Sequence, residues 1–145
     1  MEIKLTSIGV ARNTSTDHFG GWSQSMTDIV LDPEYEAGLD GLRDYSHATV
    51  VYFMHEAGAC ELHHVPQGKV GQVPEVGIFA CRCAQRPNPI GLSTGKIVEI
   101  RDNVITLQGL DVINDSPILD IKPYTPQYDR ATDVTTPDWV DKLEY

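Results

Sequence analysis

Apolar residues along the chain come in short runs, and the spacing inside each run separates strand from helix. Residues 2–10 (EIKLTSIGV) alternate, with Ile3 and Leu5 on one face, which predicts a strand. Residues 12–25 (RNTSTDHFGGWSQS) are polar and glycine-bearing and predict an irregular loop whose large apolar residues are Phe19 and Trp22. MTDIVL at 26–31 predicts a second strand. Asp32 followed by Pro33 reads as a helix N-cap with proline at the first helical position, and Glu34 and Glu36 suit the first turn. Tyr35, Leu39 and Leu42 then fall on one stripe of a short helix ending near Asp44, although Gly38 and Gly41 weaken it.

ATVVYFM at 48–54 is apolar, β-branched and aromatic, the pattern of a strand covered on both faces. A long loop is expected over 57–75, followed by strands at 76–81, 96–101, 104–110 and 117–121. Asp102 and Asn103 suit a tight hairpin turn, and 125–145 reads as a peripheral strap. About seven strands, one helix and no βαβ alternation predict a mainly β fold, a barrel or curled sheet.

Length and composition narrow the function. The chain has 145 residues, 41% of them hydrophobic, which is one globular domain's worth. No apolar run reaches membrane-spanning length, and the first residues lack a signal-peptide pattern. Three cysteines, an odd number, point to free thiols in a reducing, cytoplasmic setting. The net charge of −10 argues against a broad phosphate-binding surface. It is unevenly spread: residues 1–60 sum to −6 and 125–145 to −3, while 76–124 are neutral. Anion-handling chemistry is therefore expected within 76–124.

Motifs for common nucleotide sites fail. There is no G-x-G-x-x-G, and Gly91 to Lys96 is one residue short of a phosphate loop. His55-Glu56 has Ala59 where a zinc-protease helix needs histidine. Cys60, His63, His64, Cys81 and Cys83 are metal-ligand types in irregular spacing; Cys81 and Cys83 would share one strand face, and no metal is expected.

Two strings stand out. Arg86-Pro87-Asn88-Pro89-Ile90-Gly91 is a stiff loop, because each proline fixes its own φ and extends the residue before it. Gly91 lets the backbone turn or approach a ligand, and Arg82 and Arg86 flank the entry. The second string runs from Gly109 to Tyr124, where Asp120 and Lys122 share a face of an extended segment and are placed to pair.

RPNPIGLS at 86–93, LD…(N)DSPILDIKPY at 110–124, SIGVAR at 7–12, YSH at 45–47 and FMH at 53–55 together resemble the TrmO-type family, also called YaeB- or TsaA-like. These are S-adenosylmethionine-dependent tRNA methyltransferases. The resemblance implies a single-sheeted β-barrel with one short helix over residues 1–129, an acidic tail at 130–145, and a homodimer. The implied reaction is N6-methylation of a threonylcarbamoylated adenosine in the tRNA anticodon loop. The implied S-adenosylmethionine pocket comprises Trp22, Ser23, Gln24, His55, Glu56, Arg82, Leu92, Leu110, Asp111, Val112 and Ile113. The chemistry agrees: an arginine suits the ligand's carboxylate, acids and amides suit its ammonium and ribose, and aliphatic or aromatic surface suits its adenine. Asp120, Tyr124 and His47 are candidates to receive the proton from N6, with Lys122 and Arg86 orienting substrate. Alternatives are methylation of a small molecule, and a non-catalytic module binding S-adenosylmethionine or a metal. Asn114-Asp115-Ser116-Pro117 departs from the family's usual Asp-Gly-Thr-Pro at this turn.

Overall fold

A computed structural model describes residues 1–14 and 21–145; the expected loop residue Phe19 lies outside them. Six strands close into an antiparallel barrel: β1 (Gly9–Arg12), β2 (Met26–Leu31), β3 (His47–Phe53), β6 (Ile90–Arg101), β7 (Val104–Gln108) and β8 (Pro117–Pro123). Around the barrel their order is β1-β2-β7-β6-β3-β8. A separate two-stranded ribbon pairs β4 (His63–His64) with β5 (Val76–Gly77). The single-sheeted barrel expected from the sequence is therefore present.

Strand alternation fills the barrel. Thr27, Ile29 and Leu31 of β2, Ala48, Val50 and Tyr52 of β3, Ile105 and Leu107 of β7, and Ile118 of β8 are all buried. Each large aliphatic side chain so buried contributes roughly 1.5–3 kcal/mol. Among the described residues the interior is a packed apolar core. Leu110 and Val112, beyond β7, belong to the same core.

Several expectations need correction. Residues 1–8 form no strand; Ile3 and Leu5 are exposed, and pairing begins at Gly9. The helix expected from Asp32 to Asp44 is two 3₁₀ pieces, Pro33–Leu39 and Leu42–Asp44. Gly41, at φ 81°, breaks the run, and Asp32 makes no side-chain cap. The glycines remove helix propensity, and Leu39 and Leu42 are held by burial against the core instead. The strand expected at 76–81 stops at Gly77 and becomes a 3₁₀ turn, Ile78–Ala80. Cys81 and Cys83 therefore lie in a loop, not on a strand face. The expected 57–75 loop contains β4 and a 3₁₀ turn at Pro66–Gly68. Strand β6 begins at Ile90, six residues before the expected 96, directly out of the proline-braced loop. A one-turn α-helix, Pro126–Asp129, lies in the expected strap.

Candidate cofactor site

The two unusual strings meet at one mouth of the barrel. Tyr52 on β3 lies opposite Gly91 on β6, and a Cβ at Gly91 would come within 2.3 Å of the tyrosine ring. Gly91 is thus the residue that admits the Tyr52 ring; it does not turn the chain there. The Tyr52 hydroxyl donates to the Asp111 carbonyl, and the Asp111 amide donates to Ser93 Oγ at 2.9 Å. Four residues further along β6, Gly95 receives the Leu110 side chain, whose Cδ2 would lie 3.0 Å from a Cβ there. The 109–116 segment is consequently stitched across the barrel opening.

Arg82 Nη2 donates to the Leu92 carbonyl at 2.8 Å, using one of its five N–H groups while the side chain stays exposed. Burial raises the Asp111 pKa, and the nearby Arg82 charge opposes that rise. Tyr52 is also raised, mainly by burial and then by the Asp111 charge, so its phenol stays protonated and donating. Leu92 is exposed on the outer face of β6. Arg82, Leu92, Ser93 and Asp111 thus form a half-exposed rim combining a guanidinium, a carboxylate, a hydroxyl and an aliphatic side chain.

Other expected pocket residues line the same end. Trp22, Ser23 and Gln24 form a 3₁₀ turn leading into β2, and Gln108 Nε2 donates to Gln24 Oε1 at 2.9 Å. Trp22 is half-buried and meets the Tyr145 ring edge-to-face, with centroids 6.4 Å apart. His55 Nδ1 lies 3.4 Å from the buried Ser116 hydroxyl and its Nε2 lies 3.9 Å from Glu56. Ile113, three residues before Ser116, is half-buried, and its carbonyl accepts from the Ser116 amide. Leu110 and Val112 point into the core, so only their backbone faces the rim.

The expected proton-handling residues lie on the outer barrel wall. Strand register puts Asp120, Val51 and Leu92 in one row, and Lys122, Thr49 and Thr94 in the next. Lys122 Nζ meets Asp120 Oδ2 at 2.7 Å, the pairing expected from their spacing, and this contact raises the lysine's pKa. His47, cross-strand from Lys96, packs edge-on against Tyr124 with centroids 6.3 Å apart. The Tyr124 amide donates to the His47 carbonyl at 3.0 Å. Arg86 behaves differently: its Nη1 donates to the carbonyls of Cys81 and Cys83, each at 3.0 Å, and so fastens the loop.

Sequence reasoning missed Tyr52, Ser93 and Asn13. Asn13 Nδ2 donates to buried Thr27 Oγ1 and to the Val112 carbonyl, tying the exit of β1 to β2 and to the 109–116 segment. A tyrosine inside an otherwise apolar run was the available signal for Tyr52; nothing marks Ser93 or Asn13 locally. Among the described residues, no three His, Cys, Asp or Glu side chains gather as a metal would require, and Cys81 and Cys83 contact each other at 2.7 Å.

The family model "tRNA-methyltransferase O N-terminal domain" matches residues 14–130. The "S-adenosyl-L-methionine-binding protein" of Archaeoglobus fulgidus is 36% identical over 130 residues, covering 86% of this chain and 91% of that protein. The human "tRNA (adenine(37)-N6)-methyltransferase" is 36% identical over 111 residues, covering 75% of this chain but 24% of that protein. The crystal structure of TrmO from Pseudomonas aeruginosa superposes with a TM-score of 0.76 at 26% identity, covering 93% of this chain and 62% of that one. The chain therefore spans less than two-thirds of the TrmO structure and about a quarter of the human enzyme. With the barrel, the converging strings and a family match over most of its length, the chain belongs to the TrmO family of S-adenosylmethionine-dependent tRNA methyltransferases.

Proposed function

We propose that the chain binds S-adenosylmethionine on the barrel rim and transfers its methyl group to N6 of a threonylcarbamoyl-modified adenosine beside the tRNA anticodon. The observation that carries this reading is the meeting of Arg82, Leu92, Ser93 and Asp111 at one mouth. The residues present fit the ligand: Arg82 offers N–H groups to a carboxylate, Asp111 an acceptor for ammonium or hydroxyls, and Leu92 and Trp22 apolar surface for adenine. His55, Glu56, Ser23, Gln24 and Ile113 complete the rim, with the backbones of Leu110 and Val112. Bound there, the sulfonium supplies an activated methyl group.

The chain's own task is alignment and proton management. N6 must lose a proton as its bond to the methyl carbon forms, and Asp120, on the wall next to the rim, with His47 and Tyr124, further along β3 and just beyond β8, are the candidate acceptors. Lys122, kept protonated by Asp120, presents a cation to substrate. Arg86 keeps the approach loop in shape through its two carbonyl bonds.

Homodimer formation in the cytoplasm is part of this reading. Phe53, Ile90 and Leu92, exposed on adjoining strands, supply an apolar face through which a second copy would complete the rim. The division into a barrel domain at 1–129 and an acidic tail at 130–145 belongs to it too. A small-molecule acceptor is the second reading, favoured by the net charge of −10 and the −3 carried by residues 125–145.

Calorimetry with S-adenosylmethionine tests the site: Arg82→Ala is expected to weaken binding at least about tenfold, or 1.4 kcal/mol. Unchanged affinity removes the site as drawn. Labelled methyl transfer into tRNA carrying the threonylcarbamoyl group tests the acceptor, and its absence in cofactor-binding protein favours the small-molecule reading.

A further inference from the structure

Residues 138–145 lie beyond the 14–130 family match, yet they are fastened to the body by a specific set of bonds. The Glu144 amide donates to Gln67 Oε1 at 2.9 Å, and Gln67 Nε2 returns a bond to the Glu144 carbonyl at 2.7 Å. This reciprocal pair grips the backbone of residue 144, so it fixes the position of residue 145. Lys69 Nζ donates to the Lys142 carbonyl at 2.8 Å and to Glu144 Oε1 at 2.9 Å. Lys69 is mostly covered while Glu144 stays exposed, so the ion pair itself adds little and the hold comes chiefly from the bonds to the backbone of 142 and 144. Gln67 adopts a left-handed conformation, φ 52°, unusual for a side-chain-bearing residue and consistent with a turn shaped by these contacts.

The residue so positioned is Tyr145, and its ring meets Trp22 at an interplanar angle of 84°. Trp22 stands at the rim as the first residue of the 3₁₀ turn, two positions before Gln24, which accepts from Gln108. An edge-to-face partner fixes the tryptophan plane and adds an aromatic wall at right angles to it. Two perpendicular rings make a corner of the kind that holds a planar heterocycle by its face and its edge.

We propose that Tyr145 is a further cofactor-site residue: the latch made by Gln67 and Lys69 holds residues 142–145 so that Tyr145 and Trp22 form an aromatic corner for the adenine end of the ligand. This rests on the rim being the S-adenosylmethionine site. Gln67 acts here as a positioning residue, through Tyr145.

Calorimetry with S-adenosylmethionine on the full chain tests it. Tyr145→Ala is expected to weaken binding at least threefold, Tyr145→Phe to restore parental affinity within that margin, and Gln67→Ala to fall between. A Trp22→Ala, Tyr145→Ala double-mutant cycle is expected to show losses smaller together than multiplied, because each ring orients the other. A loss below threefold in Tyr145→Ala, tighter binding in that variant, or no rescue by phenylalanine overturns the inference. If the parent binds and Arg82→Ala weakens it while Tyr145→Ala does not, the aromatic corner alone is wrong; if the parent does not bind, the rim reading falls and takes the corner with it.

Discussion

The ring of Tyr52 occupies the space above Gly91 that any other residue's Cβ would need, 2.3 Å from Cζ. The same tyrosine donates to the carbonyl of Asp111. One cross-strand pair therefore connects the proline-braced loop to the acid-bearing segment, and the rim depends on it.

Gly91→Ala should destabilise the protein by about 3 kcal/mol, at the upper end of overpacking costs, because the obstructing atoms are a buried ring wedged inside a barrel. Gly38→Ala is the matching control: a Cβ there meets nothing within 4 Å and the residue has no left-handed φ. Its effect should be neutral or stabilising by up to about 1 kcal/mol. Thermal or urea unfolding of the two variants measures the contrast.

Asn13→Ala removes the side-chain bonds to Thr27 and to the Val112 carbonyl together. Thr27 is fully buried and would be left without that donor. The expected cost is about 1–3 kcal/mol, read from the urea midpoint at unchanged slope. A midpoint equal to the parent's would mean the β1 exit does not rely on this residue.

Asp111 carries the pH dependence. Burial raises its pKa, so the native state holds the proton more tightly than the unfolded chain. Its stabilising contribution is therefore present below the unfolded pKa and is lost as pH rises through the raised, folded one. Affinity for S-adenosylmethionine is expected to run the other way, since the charged carboxylate holds an ammonium or hydroxyl more strongly than the protonated acid does. Binding should weaken on acidification at a pH above the ordinary aspartate range of about 3.9. In Asp111→Asn this acid-side loss should disappear, with weaker binding at neutral pH and no fall in melting temperature there. Calorimetry across pH, with melting curves at pH 7, reads both.

The thiols should differ in reactivity. Cys83 is pushed up to about 12, chiefly by burial and then by its hydrogen bond with Cys81, whereas Cys60 is exposed. Only the thiolate attacks an alkylating agent. Iodoacetamide at pH 8 followed by peptide mass mapping should show Cys60 modified first and Cys83 retained. Equal rates would mean the 81–83 loop opens freely.

Much of this architecture could be read from the chain. Residues 26–31 and 48–54 are dense in β-branched and aromatic residues and form strands where expected. The Asp102–Asn103 turn joins β6 to β7 as its residues suggest, with Asp102 at φ 50°. The ion pair of Asp120 and Lys122 followed from strand alternation alone. What escaped was set by partners distant in sequence. The early start of β6 is invisible in GLSTG because its strand character comes from pairing with 47–53, not from propensity. The role of Gly91 depends on a ring 39 positions earlier, and the latch on Gln67 depends on residues more than 70 positions later. The stripe of Tyr35, Leu39 and Leu42 suggested a helix, but the glycine-rich backbone between them settled for tighter, shorter turns.

Gly91 and Gly95 admit Tyr52 and Leu110 into the lumen, so the cylinder is a plug rather than a cup. Among the described residues the lumen is taken up by side chains, and the proposed guest is placed on the lip. Contacts to the proposed guest would then come from the lip, built by the start of β6 and the 109–116 segment, and not from the plug beneath. A change on the lip would then alter what is held without disturbing the mould that keeps it in register.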